Sequence, residues 1–412
     1  MVYIYDGFKT FSPTKVIHAR STDDVIRAVS FAVSSGLKIR PMGLGYSWSE
    51  HCFTNGISLQ LDGLRRLCVI DQVAKTITVD AGVRMGDVTR ALGRRGLCLP
   101  SLAFLPEMTA GGAVATATHG TNHRSGTMSD SVVSMDVVLA SGELKTFDSK
   151  LVSEAEMCAA RVSVGMLGVI TKVVFQAIDM PWVHYTKLEI DLDEFMATRD
   201  AVLSRYAHVW AHWSLGANKI KVDCLEERQD RYLGFNPYVM HRNAVWEPRR
   251  QSMLRSMIRP AVHMARDIVR SNGPATKARS KTHVQISMQY SVHTKDWERV
   301  VDRIAASQFA RSNFGKIMEM KFVKGNNLSY LGPNAGQDAV CFNVYWLVTR
   351  SEQDEILRPF EELMRSFSAR PHWGKDHKLP DETYMKSAFP QWEAFNCVRR
   401  SLDKNNLFSI IR

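Results

Sequence analysis

Residues 106–126 read PEMTAGGAVATATHGTNHRSG, and this stretch decides how the rest of the chain is read. Between Thr109 and Gly120 almost every side chain is a hydrogen, a methyl group or a short hydroxyl. Such residues are too small to fill a core, so something else must occupy the space beside them. Glycine lets a backbone approach a ligand closely because no Cβ stands in the way. A large flat bound group lying along Thr109, Gly111, Gly112, Ala113, Ala117, Thr118, His119 and Gly120, with Pro106 opening the segment, accounts for the run. A glycine-rich loop between two strands has the same composition, and composition alone leaves both readings open.

Upstream, a strand pattern at 38–42 ends in Met42 and runs straight into Gly43-Leu44-Gly45-Tyr46-Ser47. A strand opening into glycines leaves several N–H groups unpaired and close together, a nest that suits a pyrophosphate. An ordinary glycine turn is the alternative. The segment is not the Rossmann fingerprint, because the third glycine of G-x-G-x-x-G is missing and no helix pattern begins there.

Around these two segments the pattern is α+β. A strand at 16–18 precedes a helix that starts at Ser21-x-x-Asp24, a capping-box arrangement, and stops at Gly36. Alternating segments at 57–61 and 76–80, helical spacing at 86–95, a β-rich run at 131–140 closed by Ser141-Gly142, and a strand at 168–177 complete a first unit, 1–178. Beyond Pro181 the character changes. Strand patterns at 284–291 and 340–348 belong to a second sheet in a unit spanning 179–370, and a terminal segment, 371–412, carries a helix pattern over 381–402. The expected fold is two-domain α+β, with an antiparallel sheet flanked by helices in the second domain.

The 412 residues are enough for two cores. No apolar run reaches the roughly 18–20 residues that span a bilayer, and the opening residues show no leader pattern, so the expectation is a cytoplasmic protein. Seven scattered cysteines without a C-x-x-C pair speak against a zinc ribbon and a disulfide framework. The net charge of +11 is local: residues 242–281 hold ten basic residues against Glu247 and Asp267, or +8. Apolar residues at helical spacing make this segment an amphipathic helix. It reads as a solvated cover of the second domain, a peripheral contact to an anionic membrane surface, or a dock for an acidic carrier protein. Nucleic acid is the weakest choice, since aromatic residues are not interleaved with the charges.

GLGYS, PEMTAGGAVATATHGTN, SDSVVSMDVVLASGE and GMLGVITKV occur in the order and spacing of the FAD domains of the vanillyl-alcohol-oxidase (PCMH-type) superfamily, and ARPHWGK near the end resembles the signature of its aldonolactone and alditol oxidase branch. The resemblance spans most of the chain and is weakest over 181–310. It implies a PCMH-type FAD-binding domain, with 43–47 as the pyrophosphate loop, 109–120 as the second phosphate and flavin wall, and Ile170 as a further FAD contact. Covalent members carry G-x-G-H-S, whose histidine bonds the flavin 8α-methyl group. Tyr46 stands there in this chain, so the resemblance implies FAD held without that bond.

The resemblance also implies oxidation of a CH–OH group, with hydride passing to flavin N5 and either oxygen, giving hydrogen peroxide, or another acceptor regenerating the flavin. Cations beside the reacting carbon and flavin N1 lower such a barrier. Lys375 in HWGK matches the family's lysine, and Glu319-x-Lys321 falls where the family carries Glu-x-Arg, a point charge replacing a bidentate one. Glu319 would orient both lysines, and either lysine is a candidate base. Phe104 replaces a serine of the alditol oxidases and Asn343 a histidine, suggesting a flatter or more apolar substrate than an open-chain polyol. Ala103 aligns with the position that gates oxygen and leaves oxidase against dehydrogenase open. His372 and Trp373 would position Lys375.

Two alternatives stay beside this reading: a tailoring enzyme oxidising an amine or aromatic alcohol, and a non-enzymatic protein binding an acidic partner through the basic helix. The pairs His119/His123 and His372/His377 are not read as metal ligands, because no glutamate follows in an H-E-x-x-H arrangement.

Overall fold

The computed structural model describes residues 1–4, 9–228, 283–378 and 381–410. The basic segment 242–281 lies outside the described residues.

Near the start, three parallel strands in the order Lys15–His18, Ile57–Gln60, Ile39–Met42 form a small sheet. Helix Thr22–Ser34 covers it. Its N-terminus is the capping box read from sequence, with the Ser21 hydroxyl accepting from Asp24 N–H, and Val25, Ala28, Val29 and Ala32 form the buried stripe. Gly36 ends it at φ +64°. A five-stranded antiparallel sheet follows, ordered Leu144–Asp148, Val132–Val138, Val169–Gln176, Thr76–Asp80, Leu67–Asp71. The strands Val132–Val138 and Leu144–Asp148 are joined through Gly142 at φ +84°, the hairpin expected from Ser141-Gly142.

The second unit is built on a seven-stranded antiparallel sheet: Trp182–Ile190, Ile220–Arg228, His208–Ser214, Ile317–Val323, Ala339–Thr349, His283–His293, Arg370–Pro371. Its strands alternate with period two, and the two faces differ in chemistry. One face carries Val209, Ala211, Trp213, Met318, Met320, Phe322, Val340, Phe342 and Val344 into a core with the helices Trp297–Ala305 and Glu352–Arg365. The other face carries His212, Glu319, Asn343 and Gln289 side by side across four strands, each directly opposite the next. A sheet folded with one dry face and one polar face turns its polar face toward the first unit's loops, and that places the site.

The last residues pack on the first unit. Trp373, Phe389, Trp392 and Phe395 enter the core that also holds Val79, Val114 and Phe175, while Leu407 and Phe408 join the core under helix Thr22–Ser34. Two local expectations are corrected. The helix pattern over 381–402 is two helices, Glu382–Ala388 and Trp392–Leu402, because Pro390 interrupts the hydrogen-bond ladder between them. The small-residue run is not all loop: Ala110–Ala115 is a short helix capped by the Thr109 hydroxyl, which accepts from Gly112 N–H.

Candidate active site

A single elongated cavity runs from the glycine loop of the first unit to the polar face of the seven-stranded sheet. Met42, Gly43, Leu44, Gly45, Tyr46 and Ser47 line it on one side. Thr109, Gly111, Gly112, Ala113, Thr118 and His119 line it on another, with Ile170 between. At the sheet end it meets Ala103, Phe104, Lys321, His372 and Lys375. Two segments more than sixty positions apart in sequence, both singled out for small residues, thus face one space.

The remaining sequence-predicted residues stand behind this wall. Pro106 packs on Gly86 and accepts its N–H at 2.8 Å. Ala117 is buried at φ +52°, and a Cβ on Gly120 would lie 2.3 Å from the carbonyl of Leu102. Gly111 is likewise pressed on Ala81. The glycines at 111 and 120 are therefore required by the protein's own packing. At Gly112 an added Cβ would meet only the Thr109 hydroxyl, at 3.0 Å, and no backbone atom. Gly45, at φ +68°, is required by the turn itself.

Glu319, Asn343 and Trp373 do not line the cavity but hold residues that do. Asn343 donates its amide to Glu319 Oε2 at 2.8 Å, and Lys321 Nζ lies 3.6 Å from the same oxygen. Burial works against the Glu319 carboxylate, but Lys321, Asn343 and Lys375 outweigh it and hold the group below its ordinary pKa, so it is ionised. Trp373 is buried, donates its indole N–H to Leu331 O at 2.8 Å and stacks on Phe389, which fixes the loop carrying Lys375.

Lys375 donates to Ser287 Oγ at 2.6 Å and sits over the ring of Trp48 at 4.6 Å. Burial, then the neighbouring Lys321 charge, push its pKa down to about 8, with Glu319 and Asp376 working in the opposite direction. That value lies in the range of a general base near neutral pH.

His119 and His372 are locked and neutral. His119 Nδ1 faces the carbonyl of Gly120 at 3.0 Å, so it carries the hydrogen and Nε2 is left to accept from Gln289 at 2.7 Å. Burial and the nearby lysines bring its pKa down to about 4. His372 Nδ1 accepts from Gly374 N–H at 3.0 Å, and burial, then His119, hold it well below its ordinary value. Within the two histidine pairs the partners turn elsewhere: His123 Nε2 bonds Tyr206 O, and His377 Nε2 meets His51 Nε2 at 2.9 Å. Among the described residues no group of three or more His, Cys, Asp or Glu is placed to hold a metal.

Sequence reading passed over five residues at this site. Gln289 lines the cavity and ties His119 to the sheet; Ser287 holds Lys375; Trp48 covers it; Trp210 lies beside Lys321. Arg40, only 2% exposed, donates to the carbonyls of His51, Val164, Gly165 and Phe408 and so fixes three separate segments at the cavity wall. The strand pattern HVQISMQYSVH held a signal for Ser287 and Gln289: alternate polar residues in an otherwise apolar buried strand. Arg40 left none, since one arginine next to a proline at a strand end is unremarkable.

An elongated space lined with glycine, alanine and threonine at one end and lysines at the other fits a dinucleotide whose reactive ring lies against the sheet. A family profile described as FAD binding domain matches residues 13–148. These features together define an FAD-linked oxidoreductase. A second profile, D-arabinono-1,4-lactone oxidase, matches residues 173–410, and the chain belongs to that family. L-gulono-1,4-lactone dehydrogenase of Mycobacterium tuberculosis is 25% identical, covering 98% of this chain and 96% of the relative. L-gulonolactone oxidase of Mus musculus is 23% identical over 99% and 98%. Alditol oxidase of a Streptomyces species is 24% identical over 86% and 84%. Among solved structures, a Physcomitrella patens BBE-like 1 aligns at TM-score 0.67 and 15% identity over 98% of this chain and 92% of that one. A variant of the cholesterol oxidase from Brevibacterium sterolicum aligns at 0.70 and 16% over 96% and 92%. These two share the fold, the vanillyl-alcohol-oxidase architecture expected from the motifs. No helix among the described residues is long and apolar enough to cross a membrane.

Proposed function

We propose that this protein oxidises a CH–OH group of a small hydroxylated molecule, an aldonolactone or a related carbinol, with oxygen as the acceptor that regenerates the flavin and yields hydrogen peroxide. The carrying observation is the pair of lysines at the sheet end of the cavity, Lys321 and Lys375, with Glu319 the carboxylate near both. Bound FAD supplies the hydride acceptor. The protein's own residues handle charge and proton. Lys375, neutral in part at neutral pH, takes the hydroxyl proton at Nζ, and Ser287 Oγ holds that nitrogen in place. Lys321 keeps a positive charge beside the oxygen that loses the proton. Glu319, fixed by Asn343, keeps the two ammonium groups from repelling one another out of position.

In this reading Met42 to Ser47 and Thr109 to Thr118 hold FAD without a covalent bond, because a tyrosine at 46 offers no imidazole to the flavin methyl group. Ala103, Phe104 and His372 bound the substrate end, and Asn343 acts on it from behind through Glu319. The working division is 1–178 for FAD, 179–370 for substrate and 371–412 returning to the first unit, which the three cores and the packing of Trp373 and Phe408 support. The test is anaerobic: L-gulono-1,4-lactone, D-arabinono-1,4-lactone and xylitol are added to the FAD-loaded protein and the flavin band is followed. Bleaching by one of them, lost in Lys375→Ala with FAD retained, supports the reading. No bleaching by any CH–OH donor in a broad panel removes it.

A further inference from the structure

Asp376 follows Lys375 in the loop, and its side chain is only 4% exposed. One residue of the seven-stranded sheet holds both. Ser287 accepts from Lys375 Nζ at its hydroxyl across 2.6 Å and donates its N–H to Asp376 Oδ2 across 3.1 Å, while its carbonyl accepts the N–H of Asp376 at 2.6 Å. The lysine and a buried carboxylate are thereby fixed together. An opposite charge in close reach favours the protonated lysine, so this carboxylate opposes a neutral amine unless it is itself offset. Burial and then Lys321 bring the pKa of Lys375 down to about 8 against the pull of Glu319 and Asp376.

Lys9 supplies an offsetting charge from the far end of the chain. Its ammonium lies 2.6 Å from Asp376 Oδ1, 367 positions away in sequence, and donates to the carbonyl of Trp48 at 2.9 Å. Trp48 is the residue whose ring covers Lys375, and its N–H reaches Gly374 O at 2.9 Å. Lys9 immediately precedes strand Thr10–Phe11, which pairs with Val2–Tyr3. Ile4 and Phe11 share a small core with Met42, and Tyr3 O would lie 3.3 Å from a Cβ on Gly45. The start of the chain thus rests on the glycine loop and reaches, through Lys9, the loop of Lys375. Other charges surround the two groups. Near Lys375 stand Lys321 and Glu319 of strand Ile317–Val323, His119, His372 and the ring of Tyr345. Asp376 borders a second cavity with Lys9, Glu50, His377 and Lys378, faced by Asp354, Arg358, Glu361, Glu362 and Arg365 of helix Glu352–Arg365. There Glu361 and Arg365 pair with each other at 3.2 Å.

We propose that Lys9 and Asp376 are positioning residues for Lys375: the carboxylate draws a proton toward the lysine, and the ammonium brought by the first strands of the chain counters that draw. The inference rests on the reading of Lys375 as the base. It makes the N-terminal strand pair part of the reaction's machinery, because the segment that braces the glycine loop also governs the protonation of Lys375.

The test reads the protonation of Lys375 directly, without substrate. FAD-loaded protein is treated with trace acetic anhydride over a series of pH values, and acetylation of Lys375 is quantified by mass spectrometry. The midpoint of the curve marks where the amine becomes neutral. Lys9→Met is expected to move the midpoint up by about one pH unit and Asp376→Asn to move it down by about as much, the low end for a charge in close reach. The double variant should stand near wild type, and Lys9→Arg, which keeps the charge, should leave the midpoint where it is. Residues that merely brace the loop would shift neither midpoint, or both in the same direction, and either result overturns the proposal. If Lys9→Met does not retain FAD, Asp376→Asn decides alone, and a midpoint that fails to fall overturns it. Should the midpoints move as expected while no CH–OH donor ever bleaches the flavin, the pair stands and the proposed reaction falls.

Discussion

Gln289 of the seven-stranded sheet donates its side-chain amide to Nε2 of His119 in the small-residue segment across 2.7 Å, and both residues are buried. The main-chain carbonyl of the same glutamine accepts from His372 N–H at 2.9 Å. One residue thus joins the small-residue segment, the seven-stranded sheet and the loop carrying Lys375. Gln289→Leu removes the donor and leaves the buried imidazole acceptor unsatisfied, a loss of about 1–3 kcal/mol. Thermal unfolding of the FAD-free protein is expected to fall accordingly, and FAD affinity with it. An unchanged transition would mean that the two units are registered by other contacts.

Lys375 gives a pH dependence whose sign can be worked out. Its pKa is about 8 in the folded chain against an ordinary 10.5, so between these values the unfolded state binds more protons and stability rises with pH. Buried cysteines, whose pKa values are raised, act in the opposite direction over part of this range. The clean measurement is the difference between wild type and Lys375→Met in FAD-free protein, which should favour wild type progressively from pH 8 to 10. As a base, Lys375 also predicts that flavin reduction quickens with pH and levels off above about 8. A rate that falls over this range would instead make it a purely cationic group.

The buried histidines predict acid lability. His119 and His377 titrate at about 4 in the folded chain, and His51 and His372 are held well below 6.5, in each case by burial first. The unfolded chain takes up these protons near 6.5, so stability is lost as pH falls from 6.5 toward 4. His377→Asn should flatten the acid limb of a denaturation midpoint plotted against pH. A limb as steep as in wild type would assign the loss to other groups.

Arg40 predicts a larger effect than its unremarkable place in sequence suggests. Four carbonyls from three segments depend on one guanidinium, whose burial lowers its own pKa to about 10. Arg40→Met leaves those carbonyls without their donor and should cost about 3 kcal/mol or more. Denaturant unfolding of the FAD-free protein checks this, and a change within 0.5 kcal/mol, roughly that of a surface substitution, would contradict it.

What was legible in the sequence follows the range of each interaction. Local rules found the Ser21 capping box, the Ser141-Gly142 hairpin and the strands at 284–291 and 340–348, because each is written in neighbouring residues. The two small-residue segments were legible as unusual stretches, although Ala110, Ala113, Val114 and Ala117 of the second one do pack into the first unit's core. Trp210 was not, and the alternation around Ser287 and Gln289 marks only a polar face, since what qualifies all three is the register that sets them beside Lys321, Lys375 and His119. That register is long-range. Composition also over-assigned the glycines: Gly111 and Gly120 meet Ala81 and Leu102, a distinction only packing reveals.

The most direct test of the account is the visible absorption spectrum of the purified protein before and after acid precipitation. Flavin bands that pass wholly into the supernatant are the predicted result, for FAD in the cavity of Gly43 to Lys375 and no bond at Tyr46. Bands that stay with the precipitated chain would contradict the non-covalent assignment, and a protein that shows none even after incubation with FAD would contradict the flavin site itself.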